Sequence, residues 1–534
     1  GAPSVYSGRG YFLLYWVAIS MSKTIIIIGA GLAGLSAALQ AAENGCNVKL
    51  VSSLPSERAQ SVMAEGGINA ALNTKDENDS PEEHFTDTIK AACGLADPNA
   101  VWGMTQAAPE LVHWLLKLGV KFNMSGYDDV DLRNFGGQKK KRTAFAQSDT
   151  GKQIMTAMID AVRRKEASGM VERFSHHSFL TLRLCGNICC GCVIRDEYSQ
   201  ETVELPGDAV IVATGGMHGL FGNTTGSLSN TGEVTAELFR LGVPLANGEM
   251  IQYHPTTVKC GGKRMLISEA ARGEGGRLFA MKDGKQWYFM EEKYPELGNL
   301  MPRDITAREI WKVSHESEVF LDMTEISEEI ISNKLSGLAD DCMTYLHKDI
   351  RKEPVSVLPG IHYFMGGILV DEQHRTPIQN LYAAGECCAQ YHGANRLGGN
   401  SLLGALYGGR VAAKSACEQA DVVDLSCATQ IDFPPASQIS EIKQLNKVMQ
   451  ETMGVVRNEN TLLNGIQTVQ ALTGNLPLLG MAVLKSALAR KESRGAHWRE
   501  DYPKSNDDDY LKTTVARFDG KQIQISFVPV PERR

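Results

Sequence analysis

The eleven residues His392-Gly-Ala-Asn-Arg-Leu-Gly-Gly-Asn-Ser-Leu402 place one cation, Arg396, in a run of small residues. Glycines there let the backbone approach a flat ligand closely. The run leads into a helical pattern of small residues, Leu403–Ala420. A helix N-terminus offers unpaired N–H groups and a partial positive charge. Asn400, Ser401 and Leu402 therefore stand where the N1/O2 edge of an anionic reduced flavin would be stabilised. Arg396 could clamp a substrate carboxylate over the same ring. The stretch alone also fits a glycine loop before a packed helix, with Arg396 in a structural ion pair. The choice between these falls to the rest of the chain.

Three further stretches carry candidate chemistry: Gln252-Tyr-His-Pro-Thr256, Ser268-Glu-Ala-Ala-Arg-Gly-Glu-Gly-Gly276 and Met301-Pro-Arg-Asp304. Taken singly, each residue has a bland reading. His254 would be a satisfied core histidine, and Arg272 and Arg303 ion-paired residues. Glu269 would be a partner for Arg272 only.

The elements that must position these groups begin with Thr24–Ile28, a buried-strand run. Gly29-Ala-Gly31-Leu-Ala-Gly34 follows, then a helical pattern to Asn44 and a second strand, Asn47–Val51. Strand, glycine turn, helix and strand in that order are the context in which GxGxxG binds a dinucleotide. Gly29, Gly31 and Gly34 allow the turn, and the helix N-terminus takes the pyrophosphate. The acid usual at the end of the second strand is missing, and Ser52 and Ser53 stand there. Gln60–Leu72 supplies Ser61, Ala64, Gly66 and Gly67, small enough to pack on an isoalloxazine. Asp97–Gly119 reads as an amphipathic helix. Phe135-Gly-Gly137 makes another glycine turn, and Asp149-Thr-Gly151 starts a further helix. Asp208–Gly216 is a strand ending in Thr214-Gly215, suited to an adenine–ribose moiety. Leu381–Glu386 is a similar strand end, with Glu386 facing the same ligand. Gly248–Pro354 has a different texture and falls between these two returns, as a lid would. After about Asp432 the pattern is helical over Gln438–Gly454, Thr461–Thr473 and Leu479–Lys491. A polar tail from Ser493 through Pro503 and a strand-like end, Gln522–Val530, close the chain.

Length and composition agree with several domains. The chain has 534 residues, and 54 Lys+Arg against 62 Asp+Glu leave a net charge of −8. That balance gives no footing for nucleic acid. Lys139-Lys-Lys-Arg142 reads as a solvated turn. The twelve cysteines have no disulfide-framework spacing and are expected to be reduced thiols in a cytosolic protein. Cys185, Cys189, Cys190 and Cys192 fall in an apolar hairpin-like stretch, Phe179–Ile194, around Gly186-Asn187, and read as buried strand residues. No metal site is expected, and no spacing resembles an iron–sulfur site. Residues 1–20 read as an upstream extension outside the fold, too short in its apolar part to span a bilayer.

Together these segments resemble the flavoprotein subunit of fumarate reductase and succinate dehydrogenase. The resemblance rests on Gly29–Gly34, Ala64–Leu72, Phe135-Gly-Gly137, Gln252–Thr256, Ser268–Gly276, Pro302-Arg-Asp304, His362-Tyr-Phe-Met-Gly-Gly367, His392–Leu402 and Arg490–His497. It implies an α/β fold: a Rossmann-like FAD-binding domain (21–247 and 355–431), an inserted α+β capping domain (248–354) and a C-terminal helical domain (432–534).

The resemblance also implies chemistry. Hydride passes from flavin N5 to one alkene carbon of fumarate, and a proton to the other. Arg396 and His362 would bind one carboxylate, and His254 and Thr256 the other. Arg303 would donate the proton, with Glu269 and Arg272 as its relay. Ser268 departs from the common threonine. Gln60 stands where membrane-bound members carry the histidine that links FAD covalently. FAD is therefore expected to be non-covalent, and fumarate reduction favoured over succinate oxidation. The implied partners are an iron–sulfur subunit as electron donor and, through it, a membrane anchor on the cytoplasmic face. Two other functions compete. L-Aspartate oxidase shares the arginine–histidine site, but carries a glutamate where Phe135 stands, and an apolar ring cannot pair with an ammonium group. A flavin-holding subunit without its own chemistry would not need the Arg303–Glu269–Arg272 set.

Overall fold

The computed structural model describes residues 22–421, 433 and 438–534. The upstream segment 1–20 and the domain boundary expected at 431/432 lie outside them.

The isoleucine run folds as expected into strand β1 (Thr24–Ile28), followed by helix α1 (Leu32–Glu43) and β2 (Asn47–Ser52). With β3 (Val171–Ser175), β4 (Ala209–Val212) and β7 (Leu381–Ala383) these strands form a parallel sheet of order β7-β4-β1-β2-β3. The two faces of β1 explain why its sequence is apolar throughout. Ile25 and Ile27 pack beneath the helices α1, α2 (Pro98–Leu118), α3 (Thr150–Ala167) and α6 (Asn400–Gln419). Ile26 and Ile28 pack against the hairpin of strands His177–Cys185 and Ile188–Asp196.

Strand β5 (Ile251–Cys260) pairs antiparallel with β6 (Leu358–Phe364). The register slips between His254 and Thr257, so that Pro255 and Thr256 face one residue of β6. Proline has no N–H for the ladder, and a bulge re-aims its neighbours. Between these strands lie the short helix α4 (Glu269–Gly273), helix α5 (Arg303–Val313) and an antiparallel sheet with its own apolar core around Leu278, Ile310 and Leu321. Helices α7 (Ile439–Thr452), α8 (Glu459–Val469) and α9 (Asn475–Ala489) share another core with Leu245 and Phe364. Strands β8 (Lys512–Phe518) and β9 (Ile523–Pro529) extend a sheet through the pairing of β8 with Leu245-Ala246.

Three expectations need correction. Arg142 is not solvated; it is fully buried and ion-paired with Asp79 (2.9 Å) and Asp87 (3.0 Å). The polar stretch after Ser493 is not a surface tail, because Arg494, His497 and Arg499 are buried and bonded. Cys189, Cys190 and Cys192 are buried free thiols, but Cys185, half-buried beside the Gly186 turn, is disulfide-bonded. Among the described residues no helix is long and apolar enough to cross a membrane, and no group of three or more His, Cys, Asp or Glu is arranged to hold a metal ion.

Candidate active site

One cavity of about 580 Å³ runs from the carboxyl ends of β1, β2 and β4 to the β5–β6 pair. Its first half is a dinucleotide cradle. Gly29 has φ +109°, and a Cβ there would lie 2.2 Å from the Ala213 carbonyl oxygen. A Cβ on Gly34 would lie 1.8 Å from the Gly29 oxygen, so that glycine lets α1 close on β1. Gly31 is different: it lines the cavity, and the nearest atoms to a Cβ there, Ala59 Cβ and Ser61 Oγ, would lie 3.8 Å away. This is the open backbone a pyrophosphate needs above a helix N-terminus. Ser61 Oγ accepts from Leu32 N–H (3.3 Å), which ties the small-residue stretch to the same turn. Ala64, Gly66, Gly67, Thr214, Gly215, Glu386, Ser401 and Leu402 also line the wall, as does Gln60. Asn400 does not: its side chain turns inward to Asn69 (2.7 Å), His84 (2.9 Å) and Thr88 (3.0 Å). It anchors the start of α6 rather than facing a ligand. The Ser52 hydroxyl is buried without a partner at the end of β2, beside the cavity.

The second half gathers the candidate catalytic residues. Arg303, the first residue of α5, donates from Nε to Glu269 Oε2 (2.7 Å), and its Nη2 lies 2.6 Å from the same oxygen. Glu269 Oε1 accepts from the Gly136 N–H (3.0 Å) and lies 3.4 Å from Arg272 Nη2. A side chain on Gly136 would overlap Glu269, so the glycine turn after Phe135 is what admits the carboxylate. Burial pushes the Glu269 carboxyl up, but Arg303 and Arg272 more than reverse this and hold it below the ordinary carboxylate range. Arg272 is lowered by burial, and its Nη1 donates to the Asn299 carbonyl (2.6 Å).

His254 and His362 face each other across β5 and β6, with ring centroids 5.1 Å apart. Burial, then the charge of Arg303, holds both well below the usual histidine range, so both are neutral. Burial brings Arg396 down to about 9. Phe135, His254, Glu269, Arg303, His362 and Arg396 all line one cavity. Thr256 stands apart: it is fully buried and its hydroxyl donates to the Ile267 carbonyl (2.8 Å). Three arginines around one hydrogen-bonded carboxylate, with neutral imidazoles between them, leave a net charge of about +2, which suits a dianion.

Sequence reasoning gave no role to three residues. Gln252 is fully buried; its Oε1 accepts from Arg303 Nη1 (3.0 Å) while its Nε2 donates to Asn395 Oδ1 (3.0 Å) and the Arg396 carbonyl (2.8 Å). Two residues before His254 on one strand, it had a signal in period-two spacing. Thr225 Oγ1 lies 2.8 Å from His362 Nδ1. Tyr363 lies under Arg396, with its ring centroid 4.2 Å from Cζ. Thr225 had no motif to mark it, and Tyr363 fell inside the motif His362–Gly367 without a role of its own.

Comparisons with known proteins give the family. The model of the FAD binding domain matches residues 24–402, and that of the fumarate reductase flavoprotein C-terminus matches residues 472–533. The succinate dehydrogenase flavoprotein subunit of Bacillus subtilis is 38% identical, over 96% of this chain and 98% of its own. The chain belongs to the flavoprotein subunits of the succinate dehydrogenase and fumarate reductase family. Another member, the 8-methylmenaquinol:fumarate reductase flavoprotein subunit of Wolinella succinogenes, is 32% identical over 96% of this chain and 92% of its own. A quinol fumarate reductase chain of E. coli shares the fold with a TM-score of 0.86 at 27% identity, covering 95% of this chain and 97% of that one. As a family member the chain is an FAD-dependent oxidoreductase acting on a CH–CH group, and the cradle described above fits that cofactor.

Proposed function

We propose that this protein reduces fumarate to succinate, and catalyses the reverse reaction less readily, with Arg303 as the proton donor. The observation that carries the reading is the buried Arg303–Glu269 pair opening onto the same cavity as Arg396, His254 and His362. When bound, FAD supplies hydride chemistry on one face of its ring. Arg396 and His362 hold one carboxylate of the substrate. His254, braced by Thr256, takes the other, and His362 donates from Nε2 as a neutral group. Arg303 gives its proton to the carbon that does not receive hydride. Arg303 is buried, with Arg396 and Arg272 as neighbouring cations and Glu269 on its Nε and Nη2. Glu269 and Arg272 return the proton. Phe135 closes the apolar side of the cavity. The division into FAD-binding segments 21–247 and 355–431, a cap 248–354 and a C-terminal part from 432 belongs to the same reading, since the site falls where these segments meet.

Gln60 supports non-covalent FAD, because its amide is no nucleophile toward the flavin. Acid precipitation should therefore leave a colourless pellet and a yellow supernatant; a yellow pellet would overturn this point. Electrons are proposed to come from an iron–sulfur partner subunit at the cytoplasmic face of a membrane, in line with relatives that are named as subunits.

The deciding test is anaerobic oxidation of reduced viologen by the flavin-loaded protein with fumarate. We expect turnover, and a fall of about 10²–10⁴-fold in kcat for Arg303→Ala. Equal turnover by the variant would remove Arg303 from the proton step. A folded, flavin-loaded wild type without fumarate turnover would sink the reductase reading.

A further inference from the structure

We propose that the ring of Tyr363 is the group that holds the Arg396 guanidinium in place, making Tyr363 a positioning residue for carboxylate binding. The inference rests on reading the cavity as a dicarboxylate site.

Arg396, like Arg133 and Arg457 but unlike the other buried arginines, has no carboxylate partner among the described residues, and of the three it is the one whose charge opens onto the cavity with the candidate catalytic residues. Arg303 and Arg272 share Glu269. Arg142 has Asp79 and Asp87, and Arg490 has Glu249 and Glu492. Arg396 is 3% exposed, its Nε is buried without a hydrogen-bond partner, and among the described residues no carboxylate pairs with it. An unpaired buried charge is strongly unfavourable. The contact that offsets it is the face of Tyr363, 4.2 Å from Cζ. A guanidinium over an aromatic face is attracted by the ring quadrupole, more strongly where water is excluded.

The ring suits this task better than a carboxylate would. A carboxylate would occupy the guanidinium N–H groups and compete with the substrate's own. The ring stabilises the charge and leaves those donors free. Burial pushes the Tyr363 phenol well above its usual range, so the ring acts as a neutral π face and not as an anion. The ring is itself fixed. Tyr363 pairs with Gln252 in the β5–β6 ladder. The imidazole of His392 meets it edge-on, with centroids 5.3 Å apart and planes at 82°. Burial, then Arg396, holds His392 well below the usual range, so it adds no rival cation. His392, Tyr363 and Arg396 thus form a column ending in the cavity.

The test measures the dissociation constant of succinate from the flavin change of the FAD-loaded protein between pH 6 and 10. Tyr363 is replaced by Phe, by Leu, and by phenylalanines carrying one to five ring fluorines, which drain the π face while keeping the ring's shape. We expect Tyr363→Phe to bind within about twofold of wild type. Binding should weaken stepwise with fluorination, to about ten- to thirty-fold for the pentafluoro ring and for Tyr363→Leu. The alkaline limb of binding should move to lower pH in the same order, and KM for fumarate should rise more than kcat falls. A flat fluorine series, or a Tyr363→Phe variant as weak as Leu, would overturn the proposal. The series needs no answer from the Leu variant should that one misfold. A wild type that binds no dicarboxylate would bring down the reading of the cavity and this proposal together; a wild type that binds, with a flat series, brings down the Tyr363 assignment alone.

Discussion

A neutral histidine binds a carboxylate only through a ring nitrogen that carries hydrogen, so something must choose its tautomer. For His362 that choice falls to Thr225. Its hydroxyl lies 2.8 Å from Nδ1 and 3.3 Å from the Ile361 carbonyl, which already accepts the Thr225 N–H (3.0 Å). The shorter contact to an unfilled acceptor is the better hydrogen bond. With the hydroxyl donating to Nδ1, hydrogen sits on Nε2, toward the cavity. The choice matters because Arg303 and Arg396 lie nearby and would otherwise favour a lone pair on that side. Thr225→Val preserves the volume and removes the donor. We expect succinate binding to weaken about tenfold, the scale of one hydrogen bond, with Thr225→Ser restoring it. Nitrogen-15 spectra of histidine-labelled protein should show the His362 signal leave the Nε2–H form in the valine variant only. An unchanged tautomer in that variant would refute the assignment.

Elements were legible wherever local chemistry decides them. The strand Thr24–Ile28 reads from its isoleucines. The long helix after Asp97 reads from its caps: the Asp97 carboxylate accepts from Asn99 and Ala100 N–H, and Gly119 takes a left-handed φ of +101°. The hairpin around Gly186-Asn187 follows the same logic. What failed was anything set by distant partners. Arg490 reads as part of the helical run Leu479–Lys491, yet its guanidinium is fully buried. It donates to Glu249 (2.7 Å), Glu492 (2.7 Å), Thr514 (2.7 Å) and the carbonyls of Tyr510 (2.8 Å) and Lys512 (2.7 Å). Glu249 lies 241 residues away in the chain, beyond any periodicity. The site divides in the same way. Residue types and motif order named His254, Glu269, Arg303, His362 and Arg396, but Thr256 and Asn400 carry side chains whose direction only the bulge in β5 and the packing of α6 reveal.

At the scale of the whole molecule, buried histidines set the response to acid. His84 is held down at about 3 and His374 at about 4, in both cases first by burial. His254, His362, His392 and His497 are held well below the ordinary 6.5, again first by burial. Each is neutral in the folded protein and titrates near 6.5 when unfolded. Below that pH the unfolded chain takes up protons that the folded chain refuses, so the stability these groups give above 6.5 is lost as pH falls. The slope approaches about 1.4 kcal/mol per pH unit for each histidine. Glu65 acts in the opposite sense, since burial, then Asp341, raises it to about 8, and its folded form gains as pH drops toward 4.5. Burial also raises Asp79, Asp97, Glu233 and Asp341, but Glu65 is the one carboxyl carried up to about 8, and six lowered histidines leave the acid arm dominant. The melting temperature should therefore fall steeply between pH 6.5 and 5 and change less between 7.5 and 6.5. A bound dianion should soften the fall, because it favours protonated His254 and His362 and so raises their folded values. Thermal melts at pH 7.5, 6.5, 5.5 and 5.0, with and without succinate, check both statements. A flat acid arm would mean that these imidazoles reach water in the folded protein. A succinate shift that does not grow toward pH 5 would mean that the dicarboxylate does not sit between them.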